Sequence, residues 1–564
     1  MADKTYDVVV VGAGTKSLAT AMYLAKYAKL SVGVFEDRHE ACAGWCSEAV
    51  QGGGFIFDQC SEVMCHYPMY FGPVWEDFPE LRDYGMRFIP HPVGFGMVKE
   101  DGRSILVHSE EFDPDQKKTA ESIAAFSKKD AETWLRLWEL WKTKWQQAAY
   151  ELLFNPPART PQEDPIARLF ANPKENGVDP HWLRLNPFRF CKELFDSEDF
   201  LALFSRTAEG GGYGLLEPGM GFFNMIATFI WTGGVAAARG GTHNNAHACV
   251  RVVTNNGGEI FYRKSVKKIL IENGRAKGVL LEDGTEVEAK VAVVTGTHVY
   301  PLMFELVGPE YFDPIDVRRV KSLAAGTHTM YYVKLALKEP PILKGEDYDP
   351  NVKWAGYLLM GQGDLSEDGL RKHEEYRRLG GHIPKEFIQA AICDHSAVDF
   401  SRVPKGMASL TMDTSEKRAI YHKSHREFMN DYWHYFENVV DIYIRFNKNV
   451  TRDSIYGVGY TGPKYQEGAS RGYWLGDGIA LDPALDQMIP VRPTPALASG
   501  RMPVKGLYAT GACFQQGAWA GVWNGYSLYK IMAEDLGLPK PWEDKGRVPE
   551  TVDLCYKYLD RFRV

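Results

Sequence analysis

The feature that most constrains this chain lies in its first forty residues. Tyr6–Val11 is rich in β-branched residues, the pattern of a strand buried on both faces of a parallel sheet. Gly12-Ala13-Gly14-Thr15-Lys16-Ser17 follows at once. A helical stretch then covers about Leu18 to Ala28, and Leu30–Phe35 reads as a second strand ending at Glu36. Strand, glycine turn, helix, strand and acid in this order predict a parallel βαβ unit built to hold a dinucleotide. Gly12 permits the tight turn, and Gly14 lets a pyrophosphate approach the backbone. The helix N-terminus offers free amides and a partial positive charge to the phosphates. Glu36 stands 24 residues after Gly12, placed to accept a hydrogen bond from a ribose hydroxyl. Ser17 takes the place of the third glycine and is small enough for close helix–strand packing.

At ~150 residues per domain, 564 residues allow about four units, and a chain of this length buries about 75% of its unfolded surface without disulfides. The 65 basic and 73 acidic side chains leave a net charge of -8 with no long Lys/Arg cluster, so no nucleic-acid partner is expected. Nine cysteines, an odd number, read as free thiols of a reducing, cytoplasmic compartment. The residues before Asp7 lack a basic region followed by a cleavage site, which argues against a secretory signal. Phe222–Ala238 is the most apolar long run. Asn224, Gly233 and Gly234 interrupt it, and it falls short of ~20 apolar residues, so it reads as buried or interfacial.

After Glu36 come Asp37 and Arg38, then Ala43-Gly44-Trp45, then Gly53-Gly54-Phe55-Ile56-Phe57-Asp58. Here the sequence resembles the large FAD-dependent family that includes phytoene desaturases, retinol saturases and amine oxidases. That family carries a Glu, a basic residue, a paired-glycine loop and a G-F-x-F-D strand; Ala43 replaces one glycine of the pair. Gly240-Gly241, Gly257-Gly258-Glu259-Ile260, Ser265-Val266, Gly278-Val279, Asp283-Gly284 and the strand Val291–Val294 look like the family's second FAD-contacting segment. In that segment the backbone near Val266 faces the adenine. Gly506–Ala512, Gly517, Gly521 and Asn524-Gly525-Tyr526 resemble its C-terminal motif, which implies that Gly511, Ala512, Ala520, Gly521 and Val522 lie beside the flavin. The resemblance also puts Asp37, Arg38, Gly44 and Trp45 at the cofactor.

The resemblance implies an α/β fold with a discontinuous Rossmann-like FAD-binding domain (1–75, 240–310 and 490–540). A second, α+β substrate domain (76–239 and 311–489) would contain an antiparallel sheet, with Met330–Leu337 as one strand, and 541–564 would be a packed tail. Ala512 stands where amine oxidases usually have an acid. Ser122–Asp130 with Trp134, and Asn155-Pro156-Pro157, also look like the desaturase branch. The implied activity is hydride transfer between an apolar, isoprenoid-like or alicyclic substrate and flavin N5, giving a C–C double bond. A saturase, a hydroxylating dehydrogenase, an amine oxidase and a flavin-free prenyl-protein carrier of the GDP-dissociation-inhibitor type are the alternatives. The electron acceptor, a quinone, oxygen or a redox protein, stays open.

For catalysis, Trp519 would form a wall of the substrate slot, where amine oxidases place an aromatic residue, and His66 is the acid/base candidate. Cys42, Cys46, Cys60, Cys65 and His66 fit no usual metal-ligand spacing, so no metal is expected. Trp134, Trp138, Trp141 and Trp145 fall on one face of a helix over Glu121–Leu153. They read either as core packing or as an apolar wall for a lipophilic substrate or a weak membrane contact. Asn155–Pro187 reads as a proline-rich loop.

Overall fold

Strand Lys4–Val11 pairs in parallel with Val32–Phe35 on one side and Glu286–Thr295 on the other. It is central to a seven-stranded sheet that also takes in Glu259–Phe261, Val266–Glu272, Arg275–Leu281 and Leu507–Ala509. In this computed structural model the described residues are 3–49, 53–62, 64–65, 67–326, 329–361, 365–380, 382–416, 422–488, 490–514 and 521–564. The valine run does what its composition demands. Val8 and Val10 enter the larger core on one face of the sheet, and Val9 and Val11 enter a second core on the other. Helix Thr15–Lys26 covers the first face and crosses helix Trp523–Leu536. The crossing is tight at Gly525, where an added Cβ would lie 2.1 Å from the Lys16 carbonyl oxygen.

The second sheet, also seven-stranded, runs Ile455–Thr461, Thr329–Leu337, Ala408–Glu416, Gln389–Cys393, Ala355–Gly361, Val93–Val98 and Ser104–His108. Its neighbours are antiparallel except Ala355–Gly361 with Val93–Val98. Alternation divides its faces. Tyr331, Val333, Leu335, Ile392 and Met412 pack with Phe428, Tyr432, Phe436 and Val440 of helix His425–Arg445. The opposite face carries Tyr357, Leu359 and Ala391 into the larger core, along with Tyr332 and Asp413, which pair across adjacent strands.

The tryptophan stripe is core. Lys128–Leu140, a π-helical turn at Trp141–Trp145 and Gln146–Phe154 form one continuous helical run. Trp134, Trp138, Trp141 and Trp145 all pack around Phe229, and none is more than 4% exposed. Phe229 belongs to helix Gly221–Thr232, which the buried strand Val235–Ala238 follows. Neither the stripe nor the apolar run is therefore a surface available to lipid. Among the described residues no helix is long and apolar enough to cross a membrane.

Residues 155–187 depart from the expected loop. They hold Pro165–Ala171, Pro173–Asn176 and the 3-10 turn Pro180–Arg184. Pro165, Pro173 and Pro180 each sit at a first helical position, where the missing N–H is not needed. Asp164 accepts from the amides of Ile166 and Ala167, and Asp179 from that of His181. The last residues pack: the Phe562 ring stacks on Trp75 at 4.5 Å, and Arg547 pairs with Asp77 at 3.0 Å.

Candidate active site

Gly12 has φ of +85°, and a Cβ added there would meet nothing within 4 Å. Gly14 precedes helix Thr15–Lys26, whose N-terminus no side chain caps. A Cβ on Gly14 would meet only Ser17 Oγ, at 3.7 Å. The turn therefore borders open space on the side where the helix amides point. Ser17 Oγ donates to the carbonyls of Gly12 at 2.7 Å and Gly14 at 3.1 Å, which fixes the turn. The backbone at Gly296 comes so close that a Cβ there would lie 2.8 Å from Ser17 Oγ, so the small residue at position 17 is needed for packing.

Glu36 ends strand Val32–Phe35 and folds back over the turn. Its Oε2 accepts the Ala13 amide at 2.6 Å and its Oε1 the Arg38 amide at 2.9 Å. Burial raises its pKa above the ordinary value, and the two amides pull the other way. A carboxylate has about four acceptor sites, so capacity for a hydroxyl donor remains.

The turn opens into a cavity with an open mouth. Gly12, Gly14, Thr15, Ser17, Glu36 and Asp37 line one end. Gly44, Val266, Gly511 and Ala512, from three distant segments, join them on its wall. Arg38, Trp45, Gly521 and Val522 lie off that wall. Arg38 Nη2 reaches Glu40 at 3.2 Å and Cys46 Sγ at 3.3 Å. Trp45 is buried against Phe71. The Val522 amide donates to the Tyr70 carbonyl at 3.2 Å at the start of helix Trp523–Leu536. His66, Trp519 and Ala520 lie outside the described residues.

Several lining residues carry no motif. Arg471 lines the cavity and donates to the Val266 carbonyl at 2.9 Å, fixing the strand edge expected at the adenine. Arg492 is buried and donates to the Ala512 carbonyl at 3.0 Å and to those of Ile479, Leu481 and Gln487. Burial among neutral carbonyls pulls its guanidinium down to about 10. At the end away from Gly12 the wall is made by Glu62, Tyr70, Trp231, Tyr332, Tyr357 and Asp413. The sequence signal for two of these was a charge or hydroxyl inside an apolar strand: Tyr332 precedes Lys334 in Thr329–Leu337, and Asp413 interrupts Ala408–Glu416.

The residues at the turn fit a dinucleotide. Open space stands where the Cβ atoms of Gly12 and Gly14 would be, a helix N-terminus faces it uncapped, and a buried carboxylate closes the far side.

Residues 10–81 match the NAD(P)-binding Rossmann-like domain family, and residues 102–349 match the flavin containing amine oxidoreductase family. The chain is 24% identical to a limonene dehydrogenase subunit of Castellaniella defragrans over 97% of each chain. It is 28% identical to hydroxyneurosporene desaturase of Cereibacter sphaeroides over 67% of this chain and 73% of that one. In fold it is similar to an oxidoreductase from Methanosarcina mazei, with a TM-score of 0.58 and 16% identity over 93% of this chain and 99% of that one. Putrescine oxidase is similar at a TM-score of 0.56 and 14% identity, over 94% of this chain and 99% of that one. With a βαβ dinucleotide unit, a second sheet facing the same cavity and a segment that matches the flavin containing amine oxidoreductase family, the chain is an FAD-dependent oxidoreductase, similar in sequence to dehydrogenases and carotenoid desaturases.

Proposed function

We propose that the enzyme oxidises a lipophilic, alicyclic or isoprenoid-like substrate by removing two hydrogens from adjacent carbons, forming a C–C double bond. The observation that carries this reading is a cavity that the glycine turn shares with four aromatic residues, Tyr332 and Tyr357 of the second sheet and Tyr70 and Trp231 of two helices. Aromatic walls bury apolar area and exclude water. Two relatives, the limonene dehydrogenase subunit and the hydroxyneurosporene desaturase, bear names that fit an apolar hydrocarbon skeleton.

In this reading bound FAD supplies the hydride acceptor. Gly12, Gly14, Thr15 and Ser17 hold its pyrophosphate, and Glu36 with Asp37 its adenosine ribose. Val266 lies at the adenine, and Gly511 and Ala512 approach the flavin half. The FAD-binding domain is then 1–75, 240–310 and 490–540, and the segments between form the substrate domain. The electron acceptor can be a quinone, oxygen or a redox protein.

The test is anaerobic mixing of the flavin-loaded protein with limonene, alicyclic ketones, phytoene and cyclohexylamine, following the loss of flavin absorbance. Bleaching by terpenoid or alicyclic compounds supports the reading. Bleaching by the amine alone overturns it in favour of amine oxidation.

A further inference from the structure

The end of the cavity away from the glycine turn holds two carboxyl groups in unlike surroundings. Asp413 is 2% exposed. Its Oδ1 accepts from Arg206 Nη2, which also bonds the Tyr357 hydroxyl. Arg206 Nη1 holds Glu209 at 2.8 Å, and Glu209 in turn meets His373 at 2.7 Å. Glu62, 4% exposed, lies in the loop that follows Asp58, and neither of its carboxyl oxygens has a hydrogen-bond partner among the described residues. Both side chains line the same cavity. Lys334, Asp58 and Asp413 face Glu62 electrostatically, the Thr411 side chain lies beside it, and Lys334 Nζ is held by Thr461 Oγ1 at 3.1 Å.

Both surroundings favour the protonated carboxyl, but to different extents. Burial pushes the Glu62 carboxyl well above the usual carboxylate range, with Lys334 opposing and the two aspartates adding to the rise. Burial pushes Asp413 up to about 7 against the pull of Arg206. Burial favours the protonated form at both carboxyls, and Asp413, held by Arg206 and raised only to about 7, is the one that keeps carboxylate character near neutral pH. Of two carboxyls in one cavity, the more strongly raised suits a hydrogen-bond donor and the other suits a base.

We propose that the substrate is a carbonyl compound, an alicyclic or isoprenoid ketone, whose oxygen accepts a hydrogen bond from Glu62 and whose α-hydrogen passes as a proton to Asp413. The proposal rests on the function proposed above and narrows its substrate class. A hydrocarbon gives Glu62 no acceptor and offers Asp413 no acidic C–H bond. An alcohol satisfies Glu62 but leaves its neighbouring C–H bonds unactivated. A ketone answers both groups. The Cα–H bond breaks and its electron pair becomes the new C=C bond, while the proton stays on the Asp413 carboxyl. The Cβ–H bond breaks with its electron pair, and that hydride goes to oxidised flavin. The substrate loses one proton and one hydride, and the product is the conjugated enone.

The first measurement is equilibrium binding of 2-cyclohexen-1-one, a product-like probe, against cyclohexene of similar size, read from the perturbation of flavin absorbance. A site with a buried group waiting for an oxygen discriminates strongly against analogues lacking it, so the ketone should bind at least about tenfold tighter. Glu62→Leu should erase that preference and Glu62→Gln, which still donates, should keep most of it. The second measurement is exchange of the α-hydrogens of cyclohexanone in D2O with the flavin held reduced, so that no net oxidation occurs. The native protein should catalyse exchange. Asp413→Asn should fall to the buffer rate while still holding FAD and the enone, which shows that it is folded.

Equal binding of cyclohexene and the enone, or unchanged exchange in Asp413→Asn, overturns the proposal. If limonene bleaches the flavin while ketones neither bind nor exchange, the carbonyl assignment fails and the broader reaction stands. If cyclohexanone exchanges through Asp413 but no compound bleaches the flavin, the carbonyl site stands and the broader reaction fails.

Discussion

Arg402 Nη1 lies 2.7 Å from Asp58 Oδ2, and both side chains are 1% exposed. The two residues are 344 positions apart. Asp58 Oδ1 takes Ser47 Oγ at 2.5 Å and the Thr242 amide at 2.8 Å. Arg402 also reaches Asp399 at 3.2 Å and the Ala238 carbonyl at 2.5 Å. One buried pair thus ties the strand after the glycine-rich loop, the start of helix His243–Asn255 and the second sheet region together. The loop that brings Glu62 to the cavity begins at this clamp, and the His395 ring bonds the Glu62 backbone carbonyl.

Removing one partner of such a pair is costly because the other charge stays buried. Asp58→Asn should lower the unfolding free energy by about 3–5 kcal/mol. Burial alone would raise the Asp58 pKa, but Arg402, His395 and the bonds from Ser47 and Thr242 outweigh it and hold the carboxyl below its ordinary value. The stabilisation is therefore complete above the unfolded-state pKa of about 3.9 and is lost as pH falls through the lower folded value. Urea unfolding at a series of pH values should show a constant gap between wild type and variant from about pH 5 to 8 that shrinks below about pH 4. A gap that widened in acid would contradict this account of the pair.

Trp141 is fully buried and stacks against Phe229 with ring centroids 5.9 Å apart. Trp141→Ala should cost about 3–5 kcal/mol, as large-to-small changes in aromatic cores do, and should shift the urea midpoint down. Flotation with liposomes should be the same for variant and wild type, since the ring is not at the surface. A stable variant with altered flotation would mean that the helix bearing Trp141 presents its stripe outward.

The glycine turn, its helix and the acid at position 36 were legible because local chemistry dictates them: only a bare turn leaves Gly12 at positive φ and open to a phosphate. Val8–Val11 likewise announces a strand with no polar face. Residues of the far wall were not legible, because which face of a strand meets a cavity depends on what packs against the other face. Tyr331 and Tyr332 are adjacent and chemically alike, yet the first enters the core under helix His425–Arg445 and the second lines the cavity. A lone aspartate such as Asp413 in an apolar strand was a visible anomaly, but its partner Arg206 is 207 residues away. The prolines of residues 155–187 misled for a different reason. Their effect on helices depends on position within the turn, and Asp164 and Asp179 supply the caps that make them first residues.

Glu36 serves two backbone amides and, in the proposed function, a ribose hydroxyl. Glu36→Ala should weaken FAD binding by about 1–3 kcal/mol, roughly 5–150-fold in Kd. Glu36→Gln should lose less, because an amide oxygen still accepts one hydrogen bond. Titration calorimetry of the flavin-stripped protein with FAD measures both. Equal affinity for Glu36→Ala and wild type would remove Glu36 from the cofactor site.

Gly12 and Gly14 separate strain from cofactor contact. At Gly12 the +85° φ makes any side chain strained, so Gly12→Ala should cost about 1–2 kcal/mol of stability before any cofactor effect. At Gly14 the φ is -69°, which alanine adopts freely, and the new Cβ would make only an ordinary contact with Ser17 Oγ at 3.7 Å. The flavin-free Gly14→Ala protein should therefore unfold at the same urea concentration as wild type. If the pyrophosphate lies against this backbone, the methyl group occupies its place. Crowding of that size costs about 1–3 kcal/mol, so FAD affinity should fall roughly 5–150-fold. The two readouts together decide the matter: unchanged stability with weakened FAD binding puts the phosphates at Gly14, and a Gly14→Ala protein that retains FAD through dialysis as wild type does would place them elsewhere.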